Sequence, residues 1–302
     1  MIDKERYIRI FNETIRIRNL GFNTIENYNG HLNLFLDYCE MIGKLPEDFD
    51  TNDLRTYLAK DNISASTIGQ RRGMLCNLLD CFGMGFKLYP IKPPRREHRL
   101  PDFFSVPELN KIFSSIKNEK QRCIVKLQYA CALRVHEVVK IKRSDFIKIW
   151  DAHDEKFVYD LRILGKGLKE RIVPVPEETI AEIFSYWKNS TEKKGEYLFP
   201  GQQSLWYNER SVQMVVKRAM IENRIFKNGS THLLRHSRAT HLHQAGVDIL
   251  YIKELLGHER LKTTEVYTHL NKGELRIVFR KAETFLNDAL MGEINRQKRI
   301  SA

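Results

Sequence analysis

No Cys-x-x-Cys pair occurs among the five cysteines, Cys39, Cys76, Cys81, Cys123 and Cys131. A thioredoxin-like redox motif and a zinc ribbon are thereby excluded, and four of the five fall within apolar helical patterns, as reduced core thiols do. No stretch approaches the ~20 apolar residues that span a bilayer, and the opening MIDKERYIRIFNETIRIRNL lacks the basic-then-apolar order of a signal peptide. The expectation is a soluble cytoplasmic protein with no membrane partner. Internal repeats and low-complexity tracts are also missing, as is an acidic cluster that could hold a metal. Acidic residues are outnumbered, 38 against 50 Lys and Arg, for a net charge of +12.

That charge suggests a polyanionic partner, and its distribution is uneven. Residues 1–86 hold 10 Lys/Arg against 12 Asp/Glu, 87–100 hold 5 against 1, and 101–302 hold 35 against 25. The excess therefore lies in a connector and in the C-terminal two-thirds. A length of 302 residues accommodates two domains, each with its own core.

Helical periodicity runs through residues 6–20 and 24–42, the second with Asn23 as cap candidate and Ile25, Tyr28, Leu32, Phe35, Leu36 and Cys39 at 3- and 4-residue spacing. Asp53 precedes a short helix ending near Lys60, and Ser66-Thr67 opens another. A domain of about four helices is expected over 1–86. Residues 87–101, KLYPIKPPRREHRLP, carry four prolines and five basic residues, a composition that reads as an extended linker. Such a linker would lie naturally along a phosphate backbone.

From Ser105 onward the apolar residues again fit helices, including QRCIVKLQYACALRVHEVVKI and segments at 178–188, 209–223, 232–245, 248–256, 263–270 and 273–290. Asp248 and Thr263 are N-cap candidates, and Gly246 and Gly257 C-terminal stops. The one clear β signal is Phe157, Tyr159, Leu161 and Ile163 in alternation, then the turn GKGLKE, then a return from Arg171. The fold class expected is mainly α, with a small antiparallel β-sheet in a mixed helical domain over 102–302.

The chemistry concentrates late in the chain, where His232, Arg235, His258 and Tyr267 are separated by 3, 23 and 9 residues. His232 and Arg235 open a helix whose N-terminus adds partial positive charge, and the planar arginine fork suits a phosphate. A phenol of pKa ~10 becomes a nucleophile only beside a base or cations, and those cations are present in the set. Arg134 lies in an otherwise apolar helical stretch, where a charge must be paired or functional, and Glu137 at i+3 could steady it. Lys166, between two glycines at a hairpin tip, could swing into a groove, with Lys169 and Arg171 following a polyanion backbone. His232 and His236 have metal-ligand spacing, yet no glutamate lies between them and no Cys or carboxylate joins them, so no metal is expected.

ALRVHEVVKI, LGKGLKERIVPV, HLLRHSRATHL, ELLGH and TTEVYTHL, in that order and at these separations, resemble the tyrosine recombinases, or phage-integrase family. The N-terminal helices, with TIENYNGHLNLFLDYC, resemble that family's helical (SAM-like) core-binding domain. Residues 1–86, 87–101 and 102–302 would then be a core DNA-binding domain, a basic linker, and a catalytic domain with a C-terminal assembly helix. The resemblance implies a two-domain clamp around double-stranded DNA and a homotetramer on two sites, with no cofactor, and leaves a place for an accessory protein. Tyr267 would attack the scissile phosphate. Arg134 and Arg235 would hold its non-bridging oxygens, Lys166 would act as general acid, His232 would assist proton transfer, and His258 would hydrogen-bond the phosphate. A type IB-like topoisomerase and a non-catalytic DNA-binding protein are the alternatives. Core-binding helices starting almost at Met1 suggest an Xer-like or mobile-element type. His136 and Arg238 depart from the family's pattern, which has a small residue and an aromatic at those places. The segment LRIVFRKAETFLNDALMGEINRQKRI is amphipathic through Ile277, Phe285, Leu286 and Leu290, and the resemblance implies that it docks on a neighbouring subunit.

Overall fold

The computed structural model describes residues 2–94, 102–151, 155–165, 170–190 and 195–257, together with 277, 278, 281, 282 and 284. Two compact units divide the chain between Leu100 and Pro101. No helix among the described residues is long and apolar enough to cross a membrane.

The first unit is built from α1 (Lys4–Ile17), α2 (Phe22–Ile42), α3 (Thr51–Ala59) and α4 (Ala65–Asp80). Tyr7, Phe11 and Ile15 recur every four residues on α1 and are buried with Leu32, Phe35 and Leu36 of α2 and Leu75, Leu78 and Leu79 of α4. Local chemistry fixes the helix starts. Asp50 and Asp53 form a capping box at α3, and Ser64 caps α4 through the Thr67 amide. Two expected caps are displaced by this: Asp53 is the third residue of α3, and α4 opens before Ser66. Gly21 is the N-cap of α2, so Asn23 lies inside the helix. The chain past Gly85 packs back onto this unit, with Leu88 buried and Lys87 Nζ donating to Glu47 O at 2.8 Å.

The second unit contains α5 (Val106–Ser115), α6 (Glu119–Ala130), α7 (Val135–Val139), β1 (Phe146–Asp151), β2 (Lys156–Leu164), β3 (Glu170–Val175), α8 (Glu177–Asn189), α9 (Glu209–Glu222), α10 (Thr231–Gln244) and α11 (Ile249–Leu256). Helix α6 is flanked by α8, α9 and α10 and contributes Ile124, Val125 and Leu127 to the core. The sheet is antiparallel in the order β1-β2-β3, with Leu161 opposite Phe146 on one side and Val173 on the other. Leu161, Ile163, Val173 and Val175 are buried.

Strand β1 was not expected from the sequence. FIKIWD offers only a short alternation, and its pairing with Lys156–Leu164 supplies the backbone partners that make it a strand. Phe157 does not share the burial of Leu161. It is exposed at the far end of the sheet, edge-on to Trp150 with ring centroids 5.0 Å apart. Asp248 caps α11, and Gly257 ends it in the left-handed conformation at φ 61°. Cys39, Cys123 and Cys131 are buried, Cys76 and Cys81 half-buried, and all five are free thiols.

Candidate active site

Arg134 does not sit within a helix. Helix α6 ends at Ala130, Ala132 turns the chain through φ 49°, and Arg134 emerges with extended backbone as the N-cap of the five-residue α7. Gln128, buried on α6, donates Nε2 to Leu133 O and Thr231 O, fastening this turn to the start of α10. Glu137 takes the Arg134 amide at 2.7 Å and its Nη1 at 3.0 Å, so the pairing expected three residues apart is present as a capping box. The Arg134 side chain is 34% exposed, while that of Glu137 has no exposure.

Arg235 approaches the same carboxylate from α10. Its Nη1 donates to Ala132 O at 2.7 Å and lies 3.9 Å from Glu137 Oε2, and its Nη2 donates to Leu256 O. Burial and the neighbouring Arg134 charge lower its pKa to about 10, so the guanidinium stays cationic near neutrality. His232, three residues earlier, is exposed.

Arg171 is the residue the sequence reading misplaced. It does not follow a polyanion along the surface, because its side chain is turned inward and 10% exposed. Nη1 and Nη2 grip Glu137 at 2.9 and 2.7 Å, and Nε donates to Leu255 O at 2.9 Å. The register carried the signal: Arg171 stands opposite buried Ile163 and shares its face of β3 with buried Val173 and Val175.

Three guanidinium charges thus surround one carboxylate, which leaves two positive charges. Burial pushes the Glu137 carboxyl up, but the Arg171 hydrogen bonds and charge, the Arg134 amide and Arg235 outweigh it and hold the pKa at about 2. A buried carboxylate that is ionised at neutral pH makes a scaffold for cations from the N-cap of α7, from β3 and from α10. The surplus charge suits an anionic oxygen arriving on the exposed side of Arg134.

Of the six expected site residues, Arg134 and Arg235 come together around Glu137, and His232 lies one turn from Arg235. Lys166, His258 and Tyr267 lie outside the described residues, as does Lys169. Their segments border the node in sequence: Lys166 precedes β3 by four residues, and His258 follows Gly257. Of the two departures, His136 is exposed on α7. Arg238 is buried with its guanidinium 5.5 Å from the centre of the Tyr129 ring, so a cation occupies an aromatic-lined place.

Arginines gathered around one buried carboxylate, in a mainly helical unit with a three-stranded sheet, suit the binding of a phosphate. Residues 102–274, more than half of the chain, match the model of the phage integrase family. The chain belongs to that family. It is 28% identical to tyrosine recombinase XerC of Staphylococcus aureus (strain JH9) over 290 residues, covering 90% of this chain and 94% of that protein. Its fold is similar to the XerH site-specific recombinase bound to difH substrate in a pre-cleavage complex, with a TM-score of 0.66, 24% identity and coverage of 91% and 83% of the two chains. It is also similar to a lambda integrase dimer bound to a COC' core site, with a TM-score of 0.65, 16% identity and coverage of 88% and 77%.

Proposed function

We propose that this chain is a site-specific DNA recombinase that cuts and rejoins duplex strands through a covalent link to Tyr267. The observation that carries the reading is the gathering of Arg134 and Arg235 around Glu137 within the segment that matches the family. Two guanidiniums pinned by one buried carboxylate are preorganised for the non-bridging oxygens of a phosphodiester, where charge builds during attack.

In the proposed reaction the Tyr267 phenol oxygen bonds to phosphorus while the bond to the 5′ oxygen breaks. His232 receives the phenol proton, Lys166 protonates the leaving 5′ oxygen, and His258 hydrogen-bonds the phosphate. The products are a 3′-phosphotyrosyl link and a free 5′-hydroxyl. The link conserves the bond energy, so the 5′-hydroxyl of a partner duplex can reverse the step without ATP. Arg134 and Arg235 neutralise the phosphate throughout.

Residues 1–86 are proposed as the core DNA-binding domain, 87–101 as a basic linker whose first residues, Leu88 among them, pack on that domain, and 102–302 as the catalytic domain. The proposed assembly is a homotetramer on two duplex sites, acting in the cytoplasm. The similarity is to recombinases and integrases, which favours exchange between duplexes over the resealing of one strand by a topoisomerase.

The test is to incubate the protein with a fragment library of its host genome, denature, and sequence the DNA ends left attached to protein. Adducts at one recurring sequence, absent with Tyr267→Phe, are the expected result. Scattered adducts would point to a topoisomerase, and adducts that survive Tyr267→Phe would remove Tyr267 from the mechanism.

A further inference from the structure

All three guanidinium nitrogens of Arg171 are engaged by protein acceptors. Its two terminal nitrogens occupy both oxygens of Glu137, its Nε occupies the Leu255 carbonyl, and Gly257 leaves room for it: a Cβ there would meet Arg171 Cδ at 3.1 Å. It also joins three pieces of chain that lead in sequence to expected site residues. Glu137 holds Arg134, β3 begins four residues after Lys166 in sequence, and Gly257 at the end of α11 precedes His258.

We infer that Arg171 is a positioning residue for strand cleavage, saturating Glu137 so that Arg134 and Arg235 remain available to the phosphate, and fixing the chain exit that leads to His258. The inference rests on the recombinase reading above. Glu137 has no exposed side-chain surface, so with Arg171 gone its charge would need another partner. Beyond Arg134, whose amide and Nη1 already reach it, the nearest cation is Arg235, whose Nη1 lies 3.9 Å from Oε2. Closing that gap would pull Arg235 from the Ala132 and Leu256 carbonyls that aim it. The charge balance changes as well. Two surplus positive charges match the two negative charges of a five-coordinate phosphorus formed by attack on a phosphodiester monoanion, and loss of Arg171 leaves one.

The consequence is a defect in chemistry rather than in DNA affinity, and one that depends on the charge of Glu137. Single-turnover adduct formation and equilibrium binding are measured on a duplex carrying the site recovered above, for the unaltered protein, Arg171→Lys, Arg171→Met, and Arg171→Met with Glu137→Gln. For Arg171→Met, binding within about threefold of the unaltered protein and cleavage slowed roughly 100-fold are expected, with at least about tenfold regained in the double variant. Arg171→Lys is expected to fall between, because one ammonium cannot hold both Glu137 oxygens and the Leu255 carbonyl. Should the methionine chain fail to fold, the lysine variant with and without Glu137→Gln is read for the same split and the same regain. Equal losses of binding and cleavage with no regain, or unchanged cleavage, would overturn the positioning role. Adducts with the unaltered protein that vanish with Tyr267→Phe show that the function holds even if the Arg171 role fails. Their absence in the unaltered protein would overturn both.

Discussion

Arg235 reaches out of α10 to the last turn of α11, where its Nη2 donates to the Leu256 carbonyl at 2.5 Å. The same guanidinium donates Nη1 to Ala132 O, so one side chain ties the strained turn before Arg134 to the helix end before Gly257. A group held at two carbonyls by a planar fork has one orientation, and catalysis of a phosphoryl transfer depends on that orientation.

Arg235→Lys tests this geometry. An ammonium cannot span Ala132 O and Leu256 O and also offer a fork to a phosphate. Adduct formation should fall by roughly 100-fold or more while DNA binding changes little. Cleavage at the unaltered rate would show that Arg235 does not clamp the phosphate.

Gly257→Ala should damage the molecule twice over. The residue sits at φ 61°, which an L side chain adopts at a cost of about 1 kcal/mol, and the added methyl presses on Arg171 Cδ at 3.1 Å. A loss of about 1–2 kcal/mol in a urea titration is expected, with slower cleavage because Arg171 is displaced. Unaltered stability would mean that the α11 terminus relaxes around the methyl.

Acid should weaken the second unit in two stages. Burial, and then the Arg238 charge, lower the His241 pKa to about 4 from an unfolded value near 6.5, so its neutral form belongs to the folded state. Folded His241 binds fewer protons than unfolded His241 between those values, and stability is therefore lost as pH falls from about 6.5 towards 4. Glu137, at about 2 when folded, adds a second loss as pH falls through about 4.5 towards 2. The first stage should flatten in His241→Gln, measured as the urea midpoint between about pH 7 and pH 4. Persistence of the full slope would assign it to another group.

Removal of residues 287–302 tests the proposed C-terminal assembly segment. Ala282, just before the cut, is buried in the core of the second unit, so the truncation leaves that anchor in place. Tetramer formation on DNA, read by sedimentation, should be lost while single-site binding stays within about threefold, because the cut removes none of the residues proposed to hold the phosphate. Unchanged recombination by the shortened protein would remove the segment from assembly.

Much of this protein is legible in its sequence because the signals are local. Alternating Leu161 and Ile163, the Asp248 cap, the Gly257 stop and the four-residue rhythm of Tyr7, Phe11 and Ile15 depend on neighbours within one or two turns, and the structure follows them. The pairing of Arg134 with Glu137 belongs to the same class, since three residues of chain bring them together. Strand β1 lay beyond that reach, because its partner strand had to come to it.

Tertiary structure alone decided the rest. That Arg134 caps a helix rather than lying in one follows from the left-handed turn at Ala132, which a helix-compatible alanine does not announce. That Arg171 faces inward follows from a buried carboxylate 34 residues away and a carbonyl 84 residues away. The sequence by itself determined which charges are present and that they arise in separate segments. Only folding determined that three of them share one carboxylate, because a buried charge takes its partners from whatever the packing brings within hydrogen-bond distance.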